Sequence, residues 1–316
     1  MTVLVILATM AVAAVYVSSV LTRPGVGADT TIIITPGDGR VVISAKLNSR
    51  GIDHPIWVMR LEELMRAEDY VPKAGEFALP AGTSLTAAMD IIHQGASIQH
   101  NLTIPEGWTS RQVVDALYND DRFAGVITPL PAEGTILPET YFFTRGASRN
   151  AMVIRLQQSQ ELAFAALWAD RQKDLPFTTL NEAIVLASIV ERETGISGER
   201  GKVASVFINR LRDGMRLQSD PTVLYGLAQA GEAVEELKRS HLKHPSPWNT
   251  YRHHGLPPTP IANPGRASLA AVLNPDDTDF YYFVADGTGG HKFAKTLKEH
   301  NRNVRAWRKI RDKARP

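Results

Sequence analysis

The feature that most constrains the fold is a helix predicted between Thr179 and Gly195. Thr179 and Glu182 have the spacing of a capping box, which marks a helix start, and Gly195 can act as its C-terminal cap. Between them, the run from Ala183 to Val190 is almost wholly apolar. A helix that is apolar on every side over two turns is expected inside a domain core. The sequence therefore predicts a globular domain built around this segment.

Two glutamates follow the apolar run. Glu191 lies seven residues after Ile184 and four after Ala187, so it falls on an otherwise apolar face. Desolvation there favours a neutral carboxyl group, which a general acid needs near neutral pH. Glu191 is therefore our predicted catalytic residue, although pairing with a nearby arginine explains the same pattern. Helical periodicity does not separate it from Glu193, which lies seven residues after Leu186.

Composition narrows the classes of function. The chain has 316 residues, 44% of them hydrophobic and 22% charged, which suits a globular protein of two modest domains. A net charge of +2 gives no overall signature of nucleic-acid binding. The absence of cysteine excludes thiol catalysis, disulfides and Cys-based metal sites. Nine histidines are present, but without an H-E-x-x-H motif or a phosphate-binding glycine loop, so no metal or other cofactor is predicted.

The N-terminal segment predicts a membrane anchor. Thr2 to Leu21 is a run of twenty residues without a charge, which is long enough for a helix to cross a bilayer. A cleaved signal peptide is the alternative, but such peptides usually have a basic first region and a shorter apolar core. We therefore favour an uncleaved anchor over residues 1–22. Arg23 is a weak orientation cue, and it points the wrong way for an exported C-terminal body.

The next segment predicts a small α+β module over residues 30–98. Its apolar patterns give a strand, two helices and a strand, followed by a further helix and strand. The order of the first four elements is that of a LysM-like module, a small glycan-binding fold, and equally that of a generic α+β domain. The predicted elements are Thr31–Thr35, Val41–Leu47, Ile56–Met65, Glu76–Leu79, Thr86–His93 and Ile98–Ile104.

Residues 99–316 predict a larger domain of helices, loops and a late strand pair. Further helices are expected at Thr109–Tyr118, Ala151–Leu167 and Glu199–Arg212, and strands at Phe280–Ala285 and His291–Phe293. Asp220 precedes Pro221, which is most simply a helix N-cap with proline at the first helical position. That structural role is preferred to a catalytic one.

One long loop looks functional. Pro245 to Gly265 is too rich in Pro, Gly and Asn for regular structure, and long ordered loops commonly carry function. Trp248, Asn249 and Tyr251 offer an aromatic face beside amide and hydroxyl groups, a mixture suited to sugar rings. A structural loop around a buried tryptophan remains the alternative.

Four blocks of sequence resemble the endolytic murein (peptidoglycan) lytic transglycosylases, the YceG-like family. The blocks occur in the family's order and the resemblance covers nearly the whole chain, from anchor through LysM-like module to catalytic domain. They are ASIVERETG from Ala187, ERGKVASVFINRLRDGMRLQSDPTVLYG from Glu199, NTYRHHGLPPTPIANPG from Asn249 and YYFVADGTGGHKFAKTLKEHN from Tyr281. The stretch after Gly226 departs from the family's pattern. It is this chain's version of an insert that varies within the family.

The resemblance implies a function and assigns roles. It implies cleavage of the bond between N-acetylmuramic acid and N-acetylglucosamine in nascent glycan strands, leaving 1,6-anhydro ends and terminating elongation. It assigns the catalytic glutamate to Glu191, and membership of the motifs suggests Gln218, Asn249, Tyr251 and His291 as residues that orient the sugars or support the loop. It also implies a single-pass protein of the bacterial inner membrane, with its body outside and cell-wall synthases as partners.

Two other classes of function fit the residues. The chain could be a non-catalytic glycan-binding scaffold of the wall-synthesis machinery, with the LysM-like module carrying the function. It could also be a glycoside hydrolase that uses Glu191 with a second acid such as Glu193 or Asp220, because most such enzymes use two carboxylates. The released product separates the three classes.

Overall fold

The computed structural model describes residues 1–66, 71–232 and 234–314, and the chain forms two compact units. Unit 1 contains the described residues of 1–102 together with 120–125 and 141–148. Unit 2 contains 103–119, 126–140 and the described residues from 149 onward. Both units mix helices and strands, which confirms the predicted α+β class.

Unit 1 contains helices and short paired strands. Its helices are α1 (Thr2–Thr22), α2 (Arg40–Asn48), α3 (Ile56–Met65) and α4 (Leu85–Gln94). Its strands are β1 (Thr30–Ile34), β2 (Gly75–Leu79), β3 (Gln99–Thr103), β4 (Phe123–Ala124), β5 (Thr140–Thr144) and β6 (Ala147–Ser148). β1 pairs antiparallel with β2, β3 pairs with β5, and β4 pairs parallel with β6.

The predicted strand, helix, helix, strand order is present in unit 1. Thr30 lies opposite Leu79 and Ile32 opposite Phe77 in the β1–β2 ladder. Alternate side chains of this ladder point into a core that also receives residues of α2, α3 and α4, because a strand directs successive side chains to opposite faces. That this module is of the LysM type stays a prediction.

Helix α1 is the candidate membrane span. It is 21 residues long, and it is the one helix among the described residues that is long and apolar enough to cross a bilayer. Most of its side chains are exposed, and only Val20 and Leu21 are buried. An exposed apolar helix of this length is unfavourable in water, which supports the anchor prediction.

Unit 2 is organised around the predicted central helix. Its helices are α5 (Ser110–Asn119), α6 (Arg149–Ala169), α7 (Leu180–Glu193), α8 (Arg200–Arg212), α9 (Asp220–Gln229), α10 (Arg266–Leu273) and α11 (Leu297–Ala314). A hairpin of β7 (Tyr282–Ala285) and β8 (His291–Ala294) precedes α11. Every residue from Ala183 to Val190 in α7 is buried, and α6, α8, α9 and α10 pack around it.

Local signals set the start of α7 but not every boundary. Thr179 and Glu182 form the expected reciprocal capping box. The helix ends at Glu193 and its C-cap is Thr194, which is extended, so the prediction of Gly195 as the cap was wrong. The prediction of Asp220 as an N-cap was also wrong, because Ser219 occupies the N-cap position of α9 and Asp220 is the first helical residue.

Candidate active site

A cavity of 340 Å³ in unit 2 is lined by two of the predicted site residues, Gln218 and Tyr251, and by Glu193 and Asp220. Its walls come from the end of α7, the segment leading into α9, the long loop, β7 and α11. They are formed by Glu193, Phe207, Arg210, Leu217, Gln218, Asp220, Tyr251, Tyr282, Phe283, Leu297 and His300. The mixture of aromatic rings with carboxyl, amide and phenol groups suits a sugar-binding cleft.

Glu193 is the enclosed acid of this cavity. Burial, together with the nearby charge of Asp220, raises its pKa from 4.5 to about 7. The hydroxyl of Ser219, which donates to Glu193 Oε1 at 2.6 Å, acts in the opposite direction, as do the charges of His291 and Arg210. A carboxyl group with this pKa holds its proton in a large share of molecules at neutral pH. It also releases that proton readily, so it can act as both acid and base.

Tyr251 and Asp220 form a hydrogen-bonded pair in the same wall. The Tyr251 hydroxyl donates to Asp220 Oδ1 at 2.6 Å. Burial and this carboxylate raise the pKa of Tyr251 far above its usual range, so the phenol stays neutral. The sequence predicted Tyr251 as a sugar-orienting residue and gave Asp220 a capping role, and the structure places the two side chains together.

Gln218 lines the cavity in an unusual backbone conformation. Its φ is +52°, in the left-handed region that residues other than glycine seldom adopt. Its N–H donates to the Thr250 carbonyl at 3.2 Å. Strained residues of this kind cluster at binding and catalytic sites, so the conformation supports a functional role for this predicted residue.

Arg210 is a buried cation in the same wall. Its Nε donates to the Tyr281 carbonyl at 2.7 Å and its Nη1 to the Leu217 carbonyl at 2.6 Å. The guanidinium also lies 5.3 Å from the ring centre of Tyr282. These contacts fix the backbone beside Gln218, and the positive charge favours an ionised carboxylate at Glu193.

Asn249 is buried inside the long loop. Its Nδ2 donates to the carbonyls of Leu242 at 3.1 Å and His244 at 2.8 Å. Its Oδ1 accepts from the N–H of Tyr251 at 3.0 Å. The sequence left two roles open for Asn249, which are orienting the sugars and supporting the loop. These contacts are typical of a residue that supports the loop.

His291 lies beside the cavity and is held by an acidic partner. Its Nδ1 is 2.7 Å from Glu199 Oε2, and its backbone N–H donates to Glu199 Oε1 at 2.9 Å. Its ring meets Phe283, a cavity residue, edge to face with centroids 5.3 Å apart. His291 is therefore adjacent to the wall, and its influence on Glu193 is electrostatic.

Glu191 occupies a separate buried cluster. Its side chain is 5% exposed and its Oε2 accepts the Gly265 N–H at 2.8 Å. Its Oε1 lies 3.6 Å from Arg200 Nη2, and Arg200 also contacts Glu106 at 3.3 Å. Burial and the charge of Glu191 raise the pKa of Glu106. Glu191 does not line the 340 Å³ cavity, so the structure separates it from Gln218 and Tyr251.

Comparisons with known proteins show what the chain as a whole is similar to. Residues 32–306 match the YceG-like family. A Bacillus subtilis protein named endolytic murein transglycosylase is 32% identical over 261 residues, which is 73% of this chain and 71% of that protein. Streptococcus pneumoniae proteins of the same name are 26% identical over 278 residues, and the match spans half of their length. The crystal structure of a YceG-like protein from Listeria monocytogenes has a TM-score of 0.53 and 28% identity, covering 87% of this chain and 99% of that one.

Proposed function

Because the chain belongs to the YceG-like family, we propose that it is a peptidoglycan lytic transglycosylase, a lyase that cleaves between N-acetylmuramic acid and N-acetylglucosamine. The relatives named endolytic murein transglycosylase support this reaction class. The observation that supports a specific mechanism is the position of the Glu193 carboxyl group in a cavity lined by amide and phenol groups. Its pKa of about 7 suits a general acid.

One carboxyl group suffices for the proposed reaction. Neutral Glu193 donates its proton to the bridging oxygen, and the bond from that oxygen to the muramyl anomeric carbon breaks. The glucosamine residue leaves with a free 4-hydroxyl. The Glu193 carboxylate then takes the proton of the muramyl 6-hydroxyl, whose oxygen bonds to its own anomeric carbon. A 1,6-anhydro end results, no water is consumed, and the acid is regenerated.

The neighbouring groups have complementary roles in this proposal. Arg210 stabilises the Glu193 carboxylate between the two proton transfers, because it is a buried cation close enough to affect that carboxyl group. Gln218 and Tyr251 present hydrogen-bonding groups to the sugars, and Asp220 orients the Tyr251 hydroxyl. His291, held by Glu199, supports the wall from behind.

Glu191, which the sequence favoured, remains a second candidate for the acid. Two observations favour Glu193 over it. Glu193 borders the cavity, whereas both oxygens of Glu191 face the protein partners Gly265 and Arg200. A general acid must reach the leaving oxygen of the substrate, which makes access the deciding property.

Hydrolysis is the competing proposal. It is favoured by the presence of Asp220 in the same cavity as Glu193. A second carboxylate could activate water. The test is mass spectrometry of fragments released from peptidoglycan in ¹⁸O-labelled water. Anhydro ends without label support the transglycosylase, and reducing ends that carry the label contradict it. Glycan binding without any fragment supports the scaffold.

The wider setting of this activity is also proposed. Residues 1–22 anchor the chain in the bacterial inner membrane, residues 30–98 form a LysM-like module, and residues 99–316 carry catalysis on the outer side. The word "endolytic" in the names of the relatives supports cleavage within strands, which would terminate the elongation of glycan made by neighbouring synthases. Muropeptide chain-length analysis of cells with and without the active enzyme tests the terminator role, since its loss lengthens the strands.

A further inference from the structure

Helix α3 presents an unusually apolar face to the outside of unit 1. Its inner face buries Val58, Met59 and Glu62 in the module core. Its outer face carries large apolar side chains that are 36–74% exposed. They are Ile56, Trp57, Leu61, Leu64 and Met65. Because these positions recur at helical spacing, they form one continuous stripe, which in a soluble protein commonly marks an interaction surface.

The stripe lies directly against the candidate membrane helix. Ala13, Val17 and Leu21 of α1 line a groove together with Trp57 and Leu61 of α3. That groove is almost wholly apolar and is open to the outside, so these two helices are the walls of one lipophilic surface.

Ring packing reinforces the link between the two helices. The rings of Tyr16 and Trp57 are stacked with centroids 6.1 Å apart. Farther along α1, Val20 and Leu21 enter the module's own core. The last third of α1 and the outer face of α3 are therefore neighbours within unit 1.

The length of α1 determines how deep the neighbouring side chains of α3 lie in a membrane that α1 spans. At 1.5 Å per residue, its 21 residues extend about 31 Å, which is close to the hydrocarbon thickness of about 30 Å. A spanning helix needs at least about 17 residues, so Tyr16 must lie within the hydrocarbon or at its outer edge even though Val20 and Leu21 are buried in the module. Tyr16 is six residues before Thr22, or about 9 Å along the axis. The side chains of α3 that touch this part of α1 must then share its depth.

We propose that the outer face of α3 is a lipid-binding surface that enters the bilayer leaflet in which α1 ends. This inference rests on the proposed anchoring of α1, and it adds a second membrane contact to it. An amphipathic helix with Trp and Leu on one face is suited to the interface between headgroups and acyl chains. Arg60 lies on the exposed side between Ile56 and Leu64, and its long side chain can reach the headgroup phosphates. The surface holds the LysM-like module against the membrane.

The absence of native cysteine makes a direct test available. Three single-cysteine variants of the full chain, Leu64→Cys, Val5→Cys and Ser49→Cys, are labelled with a nitroxide and placed in nanodiscs of phosphatidylethanolamine and phosphatidylglycerol. All three side chains are exposed, so labelling leaves the core intact. Spin relaxation by oxygen, which concentrates in lipid, is compared with relaxation by a water-soluble nickel chelate.

The proposal expects the ratio of oxygen to nickel accessibility at Leu64→Cys to match Val5→Cys and to exceed Ser49→Cys several-fold. A lipid-like ratio at Val5→Cys with a water-like ratio at Leu64→Cys overturns the lipid surface while leaving the anchor intact. Water-like ratios at both positions overturn the anchor and the surface together. Low access of both reagents at Leu64→Cys means that protein covers this face, which also overturns the proposal. None of these readouts depends on catalysis.

Discussion

Replacing Glu193 with glutamine should change how the stability of unit 2 depends on pH. The folded protein raises the pKa of Glu193 from 4.5 to about 7, so folding favours the protonated carboxyl group. The contribution of this group to stability is therefore fully present below pH 4.5 and declines as the pH rises through 7. At 1.36 kcal/mol per pH unit, ionised Glu193 reduces the free energy of unfolding by about 3 kcal/mol above pH 7. Glutamine cannot ionise, so the Glu193→Gln variant does not lose this part of its stability as the pH rises.

The assay is equilibrium urea unfolding of the full chain in detergent, followed by tryptophan fluorescence. Trp57 is the one tryptophan in unit 1, so a Trp57→Phe background leaves four indoles that all report on unit 2. The difference in unfolding free energy between Glu193→Gln and its parent should grow by about 3 kcal/mol in favour of the variant between pH 4 and pH 8. A difference that stays constant over this range refutes the reasoning, because it means that folding does not perturb Glu193.

Three further expectations concern activity and packing. The kcat/KM for anhydro-product formation should fall about tenfold per pH unit above pH 7, because Glu193 must start protonated; a profile flat to pH 9 contradicts its role as acid. Gly134→Ala should destabilise unit 2 by about 2–4 kcal/mol in urea, since φ is +76° and the new Cβ would lie 2.5 Å from Pro260; unchanged stability contradicts this geometry. Asn249→Ala should lower the unfolding free energy by about 2–3 kcal/mol, because buried loop carbonyls lose their donor; a normal urea midpoint with lost sugar binding would instead indicate direct substrate contact.

Local sequence signals predicted many elements of the fold, although β4, β5, β6 and α10 were not among them. Thr179 and Glu182 satisfy each other's backbone donors, and the apolar run that follows can only be buried, so α7 was predictable from neighbouring residues alone. The same holds for α5, where Thr109 and Gln112 form a second reciprocal cap. Such signals act within one helical turn and need no knowledge of the rest of the chain.

Boundary errors arose where a distant residue competes with the local rule. Asp220 precedes a proline, and local chemistry made it an N-cap. In the structure its carboxylate accepts from Tyr251, which lies 31 residues later, and Ser219 takes the cap position. Proline fits either of the first helical positions, so the local pattern could not place the boundary.

The choice between Glu191 and Glu193 depends on packing that periodicity does not encode. The two residues lie about 160° apart around α7, so only one can face a given cavity. Gln218 and Tyr251 meet beside Glu193 because of the left-handed turn at Gln218 and the fold of the long loop. In the hydrolase alternative, the sequence named Glu193 and Asp220 each as a possible second acid beside Glu191, and that was the available signal.

The identity of the acid is the central claim, and a comparison of Glu193→Gln with Glu191→Gln tests it most directly. Both variants are assayed for release of anhydro-ended fragments from peptidoglycan, and both are checked for folding by urea unfolding. We expect Glu193→Gln to lose activity by about 10²–10⁴-fold while remaining folded, since it removes the proton donor. Glu191→Gln should retain activity in proportion to its folded fraction. A folded, inactive Glu191→Gln beside an active Glu193→Gln would contradict the account and transfer the acid's role to Glu191.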